Sequence, residues 1–173
     1  MRLLLLITLI CCTGSSIAQT RTFGVDGDYD ARLAGDSILT YLNTRDILCD
    51  ESIGENGIPA INHAKFIYYA THYSIDSIKM FMGKEYGLSL RIYSFWALLR
   101  RNYDSLELAG KELLTDTASM HFYSTQFDWF PTNTFLYELL AGNIDEHCIR
   151  WPKKRLIAIR NRYYIKPFFK DSW

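Results

Sequence analysis

The chain has 173 residues, 49% hydrophobic, 15% aromatic and 22% charged, and its 19 basic and 19 acidic side chains balance to zero. That length suits one domain with a sizeable core. The balanced charge excludes the global positive field with which a nucleic-acid binder draws in its partner.

Residues 1–18 have the layout of a signal peptide. Arg2 supplies the positive start, Leu3 to Cys12 the apolar stretch, and Ser16 and Ala18 the small residues before a cleavage point. The apolar run is shorter than the roughly 20 residues of a permanent membrane span. Cys11 and Cys12 follow Ile10 and a cysteine, where a lipoprotein site wants a small residue, so both read as fillers of the apolar stretch and not as lipid anchors. The expected mature chain is a single domain, residues 19–173, located outside the cytoplasm in a periplasm or a secreted pool. Removal of residues 1–18 leaves 155 of the 173 residues, with 18 basic and 19 acidic side chains and a net charge of −1.

The remaining charge is unevenly spread. Residues 19–57 hold three basic and eight acidic side chains, whereas residues 150–173 hold eight basic and one acidic. Two ends that complement each other on a surface explain this more simply than a basic ligand site. Of the cysteines, Cys49 and Cys148 survive cleavage. An oxidising compartment permits them to pair, closing a loop of about 100 residues for up to ~4–5 kcal/mol; two separately buried thiols acting as small hydrophobes are the alternative.

In chain order, residues 19–30 form a polar lead-in. A first helix is expected from near Asp30, with Ala34, Ile38, Tyr41 and Leu42 on one face and Asn43 and Thr44 at its end. Residues 46–59 read as a long loop through Asp50, Gly54, Asn56, Gly57 and Pro59. Helices follow from Ile61 to about Tyr73 and from Ile75 to Met82, the second with Gly83 just beyond it. The strongest period lies after Ser89, where Ile92, Phe95, Trp96 and Leu99 share a face and Arg91, Arg100 and Arg101 take the other. Trp96→Ala is therefore expected to cost about 3–5 kcal/mol and Arg100→Ala less than about 0.5 kcal/mol. Asp104 is placed to cap a partner helix through Leu106, Ala109 and Leu113 that closes at Asp116 and Thr117. Residues 115–130 form a second long connection, aromatic toward its end, in which two short strands stay open. Pro131 starts a helix through Phe135, Leu136, Leu139 and Leu140 that stops at Gly142. Pro152 opens the last, through Leu156, Ile159 and Tyr163, with Pro167 as its stop.

Seven helical segments and no convincing strand give an all-α expectation: a short stack of antiparallel helix pairs, either a HEAT-like α-solenoid or a compact helical bundle. Leu90 to Leu99 resembles the first helix of a HEAT repeat. The stretch SLRIYSFWALLRRNYDSLELAGKELLTD, residues 89–116, resembles a segment of an uncharacterised family of secreted bacterial proteins with HEAT-like helices, and a looser likeness covers residues 40–163. The resemblance implies helical repeats and export but carries no activity or site residues. The repeats here differ in length and lack the proline that often kinks a HEAT helix.

Catalytic and metal constellations fail on spacing. Asp26, Asp28 and Asp30 alternate like the start of a calcium loop, but Ala31 and Ser37 stand where an EF-hand needs Gly and Glu. Glu146, His147 and Cys148, with His121 or Cys49, have neither the paired-cysteine nor the HExxH spacing of zinc sites. His63 and His72, nine residues apart on one helix, point about 180° apart. No serine lies in a GxSxG elbow, and the ten glycines form no phosphate loop. No catalytic residue, metal ligand or cofactor is therefore assigned.

Aromatic clusters at helical spacing are usually core. Phe127, Trp129 and Phe130 fall in a connection instead, which makes them the candidate binding patch. The basic tail from Lys153 to Lys170, interleaved with Tyr163, Tyr164 and Phe168, suits an acidic face or the bacterial surface better than nucleic acid in an exported protein. The function expected is an exported, non-enzymatic helical-repeat module whose concave face binds a protein or peptide partner. A secreted hydrolase using Asp128 or Glu138, with two carboxylates within about 10 Å, and a purely structural envelope protein are the alternatives.

Overall fold

The computed structural model describes residues 36–44, 47–53, 58–123 and 127–169. Residues 1–18, read as a signal peptide, the aspartates Asp26, Asp28 and Asp30, and the expected start of the first helix near Asp30 lie outside the described residues.

The centre of the fold is the segment with the strongest helical period. The chain around it runs α1 (Asp36–Thr44), β1 (Ile47–Cys49), β2 (Ser52–Ile53), β3 (Ile58–Pro59), α2 (Ile61–His72), α3 (Ile75–Met80), α4 (Leu88–Arg100), α5 (Leu106–Ala109), α6 (Lys111–Thr115), β4 (Ser119–Tyr123), β5 (Phe127–Pro131), α7 (Thr132–Leu140) and α8 (Lys153–Tyr163). Every residue of α4 from Ser89 to Leu99 is buried, because α1, α2, α3 and α7 all pack around it. A helix apolar on one face is expected to keep its other face in water. Here even Arg91 is buried, its Nε donating to the Met82 carbonyl and its guanidinium 3.9 Å from Asp116. The face assigned to solvent is correct only for Arg101, which is exposed and donates to the Tyr73 carbonyl.

The all-α expectation is overturned by strands in both long connections. β1, β4 and β5 form a mixed sheet in the order β1-β4-β5, with β1 parallel to β4 and β4 antiparallel to β5. β2 and β3 form a separate two-stranded ladder. The stack of helix pairs is thereby replaced by helices packed on a sheet. Met120 and Phe122 of β4 point inward together with Phe130 of β5 and Leu48 of β1, and these join the core. Strands of three to five residues without Val and Ile alternation leave little trace in the sequence. The β1–β4 pairing, Ile47 to His121 and Cys49 to Tyr123, joins residues that no local pattern connects.

Rings bind the layers together. Phe66 of α2 lies 4.5 Å from Trp96 of α4, Trp96 meets Phe135 of α7, and Phe135 lies 5.1 Å from Phe122 on the sheet. Gly142 takes φ +71° beyond α7, where a stop is expected, and Ser74, between α2 and α3, caps α3 by accepting from Ser77 N–H. Two expected helices differ. The helix expected through Leu106 and Leu113 breaks at Gly110, whose missing Cβ would stand 2.3 Å from the Phe95 ring. The last helix stops not at Pro167 but at Tyr164, which adopts the left-handed conformation and returns its N–H to the Arg160 carbonyl.

Candidate functional site

Strand alternation divides the aromatic triplet expected to bind. Trp129 pairs across from His121 and is 57% exposed, whereas Phe130, one residue on, is buried among Phe122, Phe135 and Phe168. Phe127 lies at the start of β5, and its side chain is outside the described residues, as is that of Asp128. Trp129 and Phe130 are therefore neighbours in sequence that do not share one surface.

An aromatic surface is built instead by the tail after α8. Ile165 is buried, while Tyr164, Phe168 and Phe169 are exposed. The segment is held by α7: Thr134 Oγ1 donates to the Lys166 carbonyl, and Glu138 accepts from the backbone N–H groups of Phe168 (2.7 Å) and Phe169 (3.2 Å). The other Glu138 oxygen accepts from Asn143 Nδ2 at 2.6 Å. A carboxylate at 0% exposure is tolerated only when its oxygens are satisfied in this way. Those same bonds occupy the group that a hydrolase would need free as acid or base.

A second feature, a cavity of about 300 Å³, opens between the end of β1, helix α2, the last turn of α4 and the connection after α7. Asp145 forms its floor. It accepts from Trp96 Nε1 (2.5 Å), from Arg100 Nε (2.5 Å) and Nη2 (3.0 Å), from the His147 N–H (2.9 Å) and from Cys148 Sγ (3.3 Å). Burial pushes this carboxyl up, but the hydrogen bonds from Arg100 and Trp96 and the charge of the guanidinium outweigh it and hold the group below the ordinary carboxylate value. Arg100 is thus a structural partner and not the solvent-side residue expected from its place on the helix.

His63 lines the same cavity at 7% exposure, its ring against Phe66 and Trp96. Burial, reinforced by the nearby charge of Arg100, lowers its pKa to about 4, so the imidazole is neutral near pH 7. His72 projects to solvent and bonds back to the Tyr68 carbonyl, so the two histidines do lie on opposite sides of α2. Asp50 at the cavity rim has its pKa raised by burial. The sequence alone singled out Glu146 and His147 but gave no link to positions 63, 100 and 145, which meet only in the folded chain.

The residues considered for zinc are not brought together. Cys148 faces Asp145, Cys49 is buried on β1 with its N–H on Tyr93 Oη, and His121 lies against Trp129. Among the described residues no group of three His, Cys, Asp or Glu side chains could hold a metal ion, and no helix among them is long and apolar enough to cross a membrane. Comparison with family models, with curated proteins and with solved structures finds no match for this chain.

Proposed function

We propose that this is an exported, non-enzymatic interaction module that holds an acidic protein or peptide segment against its basic, aromatic tail. The observation that carries the reading is the use of Glu138, a fully buried carboxylate, to fix the backbone of a segment whose two phenylalanine rings then face solvent. Phe168 and Phe169 are 52% and 44% exposed; aromatic rings ordered on a surface supply contact area with little further loss of entropy on binding. Eight basic side chains against one acidic in residues 150–173 set the sign of the partner. Export is supported by the arrangement of residues 1–18, and N-terminal sequencing of the secreted or periplasmic protein should begin at Gln19.

The direct test is fluorescence polarisation with a labelled library of acidic, aromatic-containing peptides. Binding should fall at least about tenfold in Phe168→Ala with Phe169→Ala and weaken with salt. Equal binding by that double variant, or no preference for acidic over neutral peptides, refutes the reading.

A further inference from the structure

We propose that the cavity between α2, α4 and the connection after α7 is a binding site for a primary ammonium group, with His63 accepting a hydrogen bond from it and Asp50, Glu51 and Glu146 supplying the opposing charge. This goes beyond the tail-based reading and does not depend on it.

Two independent observations meet in this cavity. The first is His63. It is more than nine-tenths buried and lines the cavity, and its contacts among the described residues are ring contacts with Phe66 and Trp96, with no hydrogen bond to its nitrogens. The ring nitrogens of His63 are not among the buried polar atoms left without a partner, so they are reached from the cavity and open to whatever occupies it. In its neutral form it carries one N–H and one lone pair, so it can accept from a cationic donor without repelling it.

The second is charge. Arg100 is the cavity's arginine; Asp145 takes up its hydrogen bonds and part of its charge, the rest of which is still felt at His63. That leaves Asp50, Glu51 and Glu146 on the walls, none with an ion-pair partner among the described residues. A cavity bounded by surplus carboxylates focuses a negative potential and favours a cation. The carboxylates and histidines do not converge closely enough to ligate a metal ion. A space of about 300 Å³ fits a small organic head group better than a bare ion. The Arg100 charge also acts on His63, so the ammonium is placed on the side of Asp50, Glu51 and Glu146, away from the guanidinium.

An ammonium group can arrive on a free amine or on a lysine side chain of another polypeptide, and the experiment separates these. The full mature chain is titrated with 1,4-diaminobutane, with the blocked tripeptide acetyl-Gly-Lys-Gly-amide, and with butanedioate as the anionic control, by calorimetry and by ¹H–¹⁵N spectra of the histidine rings. At least one amine should bind and shift the His63 ring signals. The tighter of the two amines identifies the source. Because Glu51 and Glu146 are exposed, Glu51→Gln with Glu146→Gln should fold normally and weaken amine binding by about tenfold. No amine binding, amine binding that leaves the His63 signals unmoved, amine binding unaffected by the double variant, or binding of butanedioate in preference to both amines overturns the proposal.

Discussion

Arg100→Ala is the perturbation that separates the structure from a face-by-face reading of α4. On a solvent face it would change stability by less than about 0.5 kcal/mol. In the fold it removes two charge-assisted hydrogen bonds from Asp145, whose side chain is 3% exposed. Each such bond contributes about 1.5–3 kcal/mol, and stripping the partner from a buried carboxylate costs about 3–5 kcal/mol. The Arg100 side chain is 18% exposed and the cavity admits water, which can solvate one freed oxygen, so the low end applies, about 3 kcal/mol. Urea unfolding followed by Trp fluorescence measures it as a lowered midpoint at constant slope. A pH series adds a sign. Asp145 has a depressed pKa in the folded state, so its contribution is present above the unfolded value of about 3.9 and disappears as pH falls below it through the folded value; the difference between wild type and Arg100→Ala should shrink there. Replacing the pair together, Arg100→Met with Asp145→Leu, should not recover the loss, because the buried Trp96 Nε1 and the His147 N–H then lack their acceptor. A loss below about 0.5 kcal/mol for Arg100→Ala at pH 7 would refute the role given to the pair.

Three further outcomes test the rest of the fold. His63 titrates near 4 when folded against about 6.5 unfolded, so stability should be complete above pH 6.5 and fall by up to about 1.4 kcal/mol per unit as pH drops through that window; a similar slope in His63→Phe, read from urea midpoints, contradicts the assignment. Burial drives the Cys49 thiol up to about 11 and the Cys148 thiol higher still, and both are free; an aromatic disulfide reagent should therefore react slowly with native protein and find two thiols in the unfolded, unreduced mature chain, whereas finding none shows a bridge. Gly110→Ala should destabilise by about 1–3 kcal/mol through its clash with Phe95, and an unchanged thermal midpoint would mean that α5 stands off from α4.

Helices were legible where one face is apolar and a local residue stops the turn. The spans of α2, α3, α4 and α7, and the stop at Gly142, follow from such signals. The sheet was not, because β1 has three residues and its partner lies far along the chain. In β4 the period of two is present, Met120 and Phe122 inward and His121 outward, but within a run of aromatics it is hard to distinguish from a connection. Alternation, invisible until the strand is known, likewise puts Trp129 and Phe130 of the candidate patch on opposite faces. Arg100 was misread because periodicity tells which side chains share a face and not whether another element covers the far one.

The parallel pairing of β1 with β4 has a consequence in time as well as in space. During synthesis from the N-terminus, Ile47 to Cys49 emerge long before Ser119 to Tyr123 exist, and the helices α2 to α6 come between. Closing a span of about 70 residues carries an entropic penalty near 4 kcal/mol before any strand bond compensates it. The intervening helices must therefore draw the two ends close before the strands can pair, which makes sheet closure a late and slow event. Until then an apolar strand has open edges, and the interval before closure is when the chain is most prone to pair with the wrong neighbour.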